Sequence, residues 1–118
     1  MTEESRLREH PRDRLADLVQ RVDLAEVGAA LRNEAHDSTA GHRQIAVVRR
    51  GPVSVILFVF DADGFMKEHR APGDVIIHVL AGRMDVTLAD RVETLGRGEF
   101  LALAPDQPHA VRALEPTE

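Results

Sequence analysis

Residues 64–82 read GFMKEHRAPGDVIIHVLAG, and residues 104–111 read APDQPHAV. The first stretch contains His69 and His78, the second contains His109, and each histidine stands a few residues from glycine or proline. Glycine and proline mark turns, and VIIHVL in the first stretch is rich in the β-branched residues that favour strands. Both stretches are therefore predicted to form short strands and turns, and both contain histidines.

The chain around these stretches has the composition of a β domain. Short apolar segments rich in β-branched residues are separated by turn signals such as Gly51-Pro52 and Gly96-Arg97-Gly98. The segments are QIAVVRR, VSVILFVF, VIIHVL, MDVTL, VETL, EFLALA and HAVRAL. Roughly seven or eight short strands at close spacing predict a mainly β, antiparallel sandwich or barrel.

The first third of the chain is predicted to be helical. Apolar residues recur at helical spacing in two groups, and the spacing of Asp23 and Glu26 is that of a capping box for a second helix. The groups are Leu15, Leu18, Val19 and Val22, followed by Leu24, Val27, Ala30 and Leu31. We therefore expect a helical arm over residues 1–40 and one globular β-barrel over residues 41–118.

Composition excludes several classes of protein. At 118 residues the chain is one domain by length, and its net charge of −5 argues against a general nucleic-acid binder. There is no cysteine, which excludes disulfides and thiolate metal sites. The charged N-terminal sequence is not a signal peptide, and the longest apolar run, residues 55–60, is far short of the roughly 20 residues that span a bilayer. We expect a cytoplasmic protein that binds no membrane.

The two opening stretches resemble the paired motifs of the cupin superfamily of RmlC-like jelly-roll barrels. Gly64 opens the first motif, His69 follows five residues later, and Gly82 closes it; Gly98, Pro105 and His109 match the second motif. The resemblance covers about residues 44–114. It implies a cupin-type antiparallel β-barrel whose lumen holds a small molecule or a metal ion.

The resemblance also implies a set of site residues. His69 and His109 fall at metal-ligand positions, while Ala71 and Val75 stand where the family has a second histidine and a glutamate. With Ile77, which shares a strand face with Val75 by alternation, these residues form the expected ligand pocket. A divalent ion, Zn, Fe, Ni or Mn, would be held weakly by this incomplete histidine site.

Three further residues are candidates for a third metal ligand. They are His78, Asp74 and Glu68. Strict alternation turns His78 away from the lumen if Val75 faces it, unless a bulge reverses the parity. Glu68 and Asp74 are expected on loops at the barrel mouth.

Three functions follow from the resemblance. The first is binding of a small organic molecule, with or without a metal, in a lumen that Ala71 and Val75 make apolar. The second is a metal-dependent enzyme of the dioxygenase, isomerase or decarboxylase type. The third is a metal-free isomerase in which His69 and His109 act as general acid and base. We expect the first, and leave open whether the chain is an enzyme.

We also expect a homodimer. The family's barrel usually has one more strand after residue 114, and residues 115–118 contain none. Three explanations stay open: the barrel is closed differently, a partner chain supplies the edge, or the sequence is truncated. An unpaired edge strand favours pairing with another subunit, and the apolar stripe of the helical arm also needs a surface on which to pack.

Overall fold

The structure is a computed structural model that describes residues 18–34 and 40–118 of the chain. These residues divide into two compact units, one containing 18–34 and 43–59, the other 40–42 and 60–118. The elements are α1 (Leu24–Arg32), β1 (His42–Arg50), β2 (Val53–Phe60), β3 (Phe65–His69), β4 (Val75–His78), β5 (Arg83–Thr87), β6 (Val92–Gly96), β7 (Phe100–Leu103) and β8 (His109–Ala113).

Helix α1 begins where the capping box predicts it. Asp23 is the N-cap, and its side chain accepts a hydrogen bond of 3.1 Å from the backbone N–H of Glu26. The predicted apolar face is the protected one, because Leu31 is buried and Leu24, Val27 and Ala30 are half-buried. The second predicted helix is therefore confirmed.

The first predicted helix is wrong over the residues that the structure describes. Leu15 lies outside them, but residues 18–22 are not helical, and Leu18 and Val19 are 94% and 85% exposed. Apolar spacing stabilises a helix only when the apolar stripe packs against something. In addition, the extended backbone of Asp23 (φ −96°, ψ 100°) prevents α1 from continuing backwards as one helix.

The first unit holds α1 and most of the ribbon formed by β1 and β2. Gln20 fastens the segment before α1 to β1. Its side-chain amide donates to the Val47 carbonyl at 3.3 Å and accepts from Nε of Arg50 at 3.2 Å. Val47, Leu57 and Val59 are each at most 5% exposed and provide the unit's buried strand residues.

The second unit contains two antiparallel sheets. One has four strands in the order β3-β8-β5-β6, and the other pairs β4 with β7. One side of the four-stranded sheet, called the inner face below, carries five core residues at most 7% exposed: Met84, Val86, Leu95, Val111 and Ala113. All seven segments that were predicted to be strands are strands. The eighth strand, β3, is FMKEH, which was not predicted because its charged side chains are not typical of a strand.

Residues 115–118 pair with other segments of the second unit although they form no regular strand. The backbone of Thr117 exchanges two hydrogen bonds with Phe60, of 2.8 and 3.0 Å, and the N–H of Glu118 donates to Ala81 at 2.9 Å. The Thr117 side chain is buried, and its hydroxyl lies 3.0 Å from the Arg83 carbonyl. An irregular segment thus occupies a place where the resemblance led us to expect a strand.

Two motif glycines are needed because backbone passes close to them. A Cβ on Gly64 would collide with the Gly41 carbonyl group, whose carbon would be 2.9 Å away. A Cβ on Gly82 would collide with the Pro116 carbonyl oxygen and lie 2.5 Å from the Thr117 hydroxyl. Gly82 also has a φ of +91°, which L residues rarely adopt. The glycines that bound the first motif therefore permit close chain packing.

The helix found within the described ranges, α1, is too short and too polar to cross a membrane.

We predict that Gly82→Ala destabilises the fold far more than Gly98→Ala. Both glycines have positive φ, +91° and +84°, but nothing lies within 4 Å of a Cβ placed on Gly98. Gly98→Ala should cost about 1–2 kcal/mol of backbone strain, whereas Gly82→Ala adds an overpacking cost of about 1–3 kcal/mol. Urea denaturation of both variants measures the difference, and equal losses would show that residues 115–118 do not pack against Gly82.

Candidate functional site

Two histidines meet on neighbouring strands of the four-stranded sheet. His69 at the end of β3 and His109 at the start of β8 are cross-strand partners. Their ring centroids are 4.2 Å apart, and the rings meet edge to face at 61°. His109 is 3% exposed, while His69 is exposed. The structure therefore brings together the two histidines that the motifs predicted.

A shift of register within β3 places His69 opposite His109. The register is regular at first, with Phe65 opposite Arg112 and Met66 opposite Val111. It shifts by one residue before His69 pairs with His109. Continued without the shift, the register would place Glu68 opposite His109. Directly opposed residues point to the same side of a sheet, so His69 shares the inner face with His109. Bulges of this kind re-aim side chains next to functional sites.

Glu68 belongs to β3, so its expected position on a loop is wrong. The reason is that the backbone of FMKEH pairs with β8 although three of the five side chains are polar. Asp74 does lie outside the strands, between β3 and β4. Both carboxylates are exposed.

Hydrogen bonds to the backbone fix both imidazoles. Nδ1 of His69 is 3.0 Å from the Lys67 carbonyl oxygen, and Nδ1 of His109 is 2.9 Å from that of Gln107. A carbonyl oxygen only accepts, so each Nδ1 carries the proton and donates it. In the neutral rings, Nε2 is then the unprotonated nitrogen of both histidines. The pair consequently offers two hydrogen-bond acceptors.

Ala71 is held beside the histidine pair. Ala71 stands two residues after His69, and Asp106 stands three residues before His109. The carbonyl oxygen of Ala71 accepts a hydrogen bond of 2.8 Å from the N–H of Asp106. Asp106 has a φ of 62°, a left-handed conformation that aspartate tolerates better than most residues. This bond joins the turn of the second motif to the segment that follows β3.

The other two expected pocket residues lie on β4. Val75 and Ile77 are half-buried and pair with Leu103 and Leu101 of β7. His78 is exposed on the opposite side of β4, where its ring contacts Phe100 at 6.0 Å between centroids. The β4–β7 register is regular over all four pairs, so no bulge reverses the parity of His78.

The residues present do not fit a resident metal ion. Across residues 18–34 and 40–118, no three histidine, cysteine, aspartate or glutamate side chains are grouped so that they could hold one. His78, Asp74 and Glu68 therefore do not join the pair as a third ligand. Structural and catalytic sites for first-row divalent ions use three or four protein ligands, and His69 with His109 supplies two.

The inner face also carries an ion pair that the sequence analysis missed. Glu93 of β6 lies opposite Val86 and so shares its face. Nε of Arg91 donates to one Glu93 carboxylate oxygen at 2.7 Å, and Nη1 of Arg91 lies 3.2 Å from Asp90. The hydrogen bond that Arg91 donates to Glu93 and the negative charge of Asp90 raise the pKa of the Arg91 guanidinium. In VETL, Glu93 stands two residues before the buried Leu95. This alternation was the sequence signal that could have placed Glu93 on the inner face.

We predict that both histidines adopt the Nδ1–H tautomer when neutral. Histidines in solution favour the other tautomer, so the backbone carbonyls of Lys67 and Gln107 must impose this one. Long-range ¹H–¹⁵N correlation spectra report which ring nitrogen is protonated, and exposed His78 provides an internal comparison. A proton on Nε2 of His69 and His109 would contradict the assignment.

Comparison with known proteins agrees with this architecture. A solved cupin superfamily protein from Desulfitobacterium hafniense DCB-2 is 20% identical, with a TM-score of 0.68 and 88% of each chain covered. A conserved protein of unknown function from Streptococcus pyogenes is 19% identical, with a TM-score of 0.67, 86% of this chain and 82% of that one covered. KdgF from Halomonas sp. is 22% identical, with a TM-score of 0.63 over 72% of this chain and 80% of its own.

These likenesses confirm the predicted fold class, a mainly β, cupin-type jelly roll with an N-terminal helix. No curated protein sequence matches the chain. A family model described as a cupin domain matches residues 56–118, which is more than half of the chain and includes both histidines. The chain therefore belongs to the cupin family.

Proposed function

We propose that this cupin domain binds a small organic molecule beside His69 and His109, which are the principal hydrogen-bonding groups for it. The observation that carries the proposal is the orientation of the two rings. Both Nδ1 atoms are engaged by backbone carbonyls, which leaves both Nε2 atoms for a ligand. A pair of pre-oriented polar groups is what a small-molecule site needs for specificity.

The other residues of the expected pocket favour an organic ligand over a metal ion. Ala71, Val75 and Ile77 are half-buried and apolar, and the first two occupy positions where the family's motif has metal ligands. Binding sites for small molecules are lined mainly by apolar side chains with a few polar groups. Replacing ligands by alanine and valine removes metal donors and adds apolar surface at the same positions.

The donor set argues against a metal-dependent enzyme of the dioxygenase, isomerase or decarboxylase type. Two imidazole nitrogens hold a divalent ion weakly, so we derive no chemical step through Zn, Fe, Ni or Mn. For an acid–base isomerase, each histidine needs a group that orients it. Backbone carbonyls do so here, but they stabilise an imidazolium less than a carboxylate would. Binding is therefore favoured over catalysis. The homodimer, the cytoplasmic location and the domain boundary at residues 40 and 41 stay predictions.

The test is a ligand screen followed by substitution of each histidine. Small carboxylic acids, sugars, polyols and aromatic compounds are screened by ligand-observed NMR against the full chain. We expect binders whose affinity falls about three- to tenfold in His69→Ala, the loss of one hydrogen bond. His109→Asn should have a similar effect, because asparagine keeps a donor for the Gln107 carbonyl but has no atom in the place of Nε2.

His78→Ala is the matched control for this screen. His78 is exposed on the opposite side of β4, and its replacement should leave every affinity unchanged. Ligands that bind the His69→Ala and His109→Asn variants as tightly as the unmodified protein would refute the proposal, as would a screen without binders.

We predict that protein purified without added metal contains well below one equivalent of Zn, Fe, Ni or Mn, and that a chelator leaves its melting temperature unchanged. Metal that binds the folded state alone would raise the melting temperature. Elemental analysis and thermal melts measure both quantities. One tightly held equivalent that is lost in His69→Ala would show instead that the pair belongs to a resident metal site.

A further inference from the structure

Strand β6 is an edge of the four-stranded sheet, with β5 on one side and no strand on the other in the part of the chain that the structure describes. The hairpin with β5 fixes which of its backbone groups face outward. Leu88, just after β5, donates its N–H to the Arg91 carbonyl at 2.8 Å, so Arg91 faces β5. Successive residues of an antiparallel strand direct their backbone groups to opposite sides. Val92, Thr94 and Gly96 therefore face away from β5.

Among the described residues, only Gly96 has partners for these outward groups. Its N–H donates to a Glu99 carboxylate oxygen at 2.7 Å, and its carbonyl accepts from the Glu99 N–H at 3.0 Å. No described residue bonds to the outward N–H and C=O groups of Val92 and Thr94. Unpaired groups at the spacing of a strand ladder are a template for one more strand.

A second copy of β6 supplies that strand and uses every free group. If two copies pair antiparallel about a two-fold axis at Glu93, Val92 of each copy lies opposite Thr94 of the other, and both pairs exchange hydrogen bonds. An axis at Val92 would leave Thr94 beyond the start of the partner strand. An axis at Thr94 would require Gly96, whose backbone groups are already bonded. The free groups of the edge thus select one symmetric register.

The charges at this edge are compatible with that register. Charged side chains on an edge strand commonly keep other strands away, and the axis brings the two copies of Glu93 opposite each other. Each Glu93, however, accepts a hydrogen bond of 2.7 Å from its own Arg91, two residues earlier on the same face. Arg91 is also diagonal to Glu93 of the second copy, within reach of a long side chain. Two guanidinium groups therefore offset the repulsion between the two carboxylates.

We propose that β6 is a dimerisation edge, at which two copies of this chain join their four-stranded sheets into one continuous antiparallel sheet. The inference goes beyond the proposed function, since no ligand takes part in it, and it gives the expected homodimer an interface. It also covers an apolar side chain. Val92 is 55% exposed on the outer face of the single chain, and in the dimer it packs against Thr94 of the second copy, a cross-strand pair of β-branched residues.

The first experiment measures association of the full chain by analytical ultracentrifugation over a wide range of concentration. Dimers should form at the upper end, where the amides of Val92 and Thr94 should exchange with deuterium about tenfold more slowly than in dilute protein. Val92→Pro removes an N–H that the sheet of the single chain does not use, and proline is tolerated at such edge positions. It should abolish the dimer, whereas Val92→Thr, which keeps the N–H, should retain it.

A second variant tests the axis itself and does not depend on whether Val92→Pro folds. The chain has no cysteine, so Glu93→Cys places one thiol on the axis, where Cα atoms about 4.5–5.5 Å apart permit a disulfide. Arg91 keeps its ion pair with Asp90 in this variant. Thr87→Cys is the matched control, because Thr87 is exposed on β5. Three strand spacings, about 14 Å, separate the two copies of β5 in the dimer, which is too far for a disulfide.

Under mild oxidation, Glu93→Cys should form covalent dimers at least about tenfold faster than Thr87→Cys, because only the first pair of thiols meets the geometry of a disulfide. Equal rates in the two variants would overturn the inference, as would a chain that stays monomeric at every concentration. A dimer that persists with unchanged affinity in Val92→Pro would place the contact on another surface and would overturn it too.

Discussion

The pairing of β3 with β8, and the shift of register within it, is the constraint on which the site depends. Before the shift Met66 lies opposite Val111, and after it His69 lies opposite His109. Without the extra residue, an exposed glutamate would stand where the first histidine is. The same short segment supplies the Lys67 carbonyl that accepts from His69 Nδ1. A single irregularity therefore decides both which side chain enters the site and which of its nitrogens is available.

Close backbone contacts keep the two motifs together. The Ala71–Asp106 hydrogen bond links the segment after β3 to the turn before β8. Gly64 and Gly82, which bound the first motif, are each packed against another stretch of backbone, at Gly41 and at residues 116–117. Backbone approaching backbone at these distances leaves no room for a Cβ. The glycines of the motif thus report on packing, and they persist here although two of the motif's metal-ligand positions do not hold ligands.

The chemistry of the site follows from what replaced those ligands. Ala71 and Val75 bring apolar surface where the family's motif has donor atoms, and the remaining histidines are fixed by neutral carbonyl groups. A carbonyl orients an imidazole without adding charge, so the pair is suited to accepting hydrogen bonds from a ligand.

The sequence by itself determined the β-rich fold class, seven of the eight strands, the capped helix α1 and the two histidines, because these depend on local composition, period and motif spacing. Only the tertiary structure decided that FMKEH is a strand, that Glu68 is displaced by His69, and that Leu18 and Val19 are not helical. It also placed Glu93 on the face of His109. Cross-strand partners lie far apart in the chain, and a one-residue shift of register reverses which side chains share a face. Local sequence patterns do not encode that shift, so the composition of the site became known only when the strands were paired.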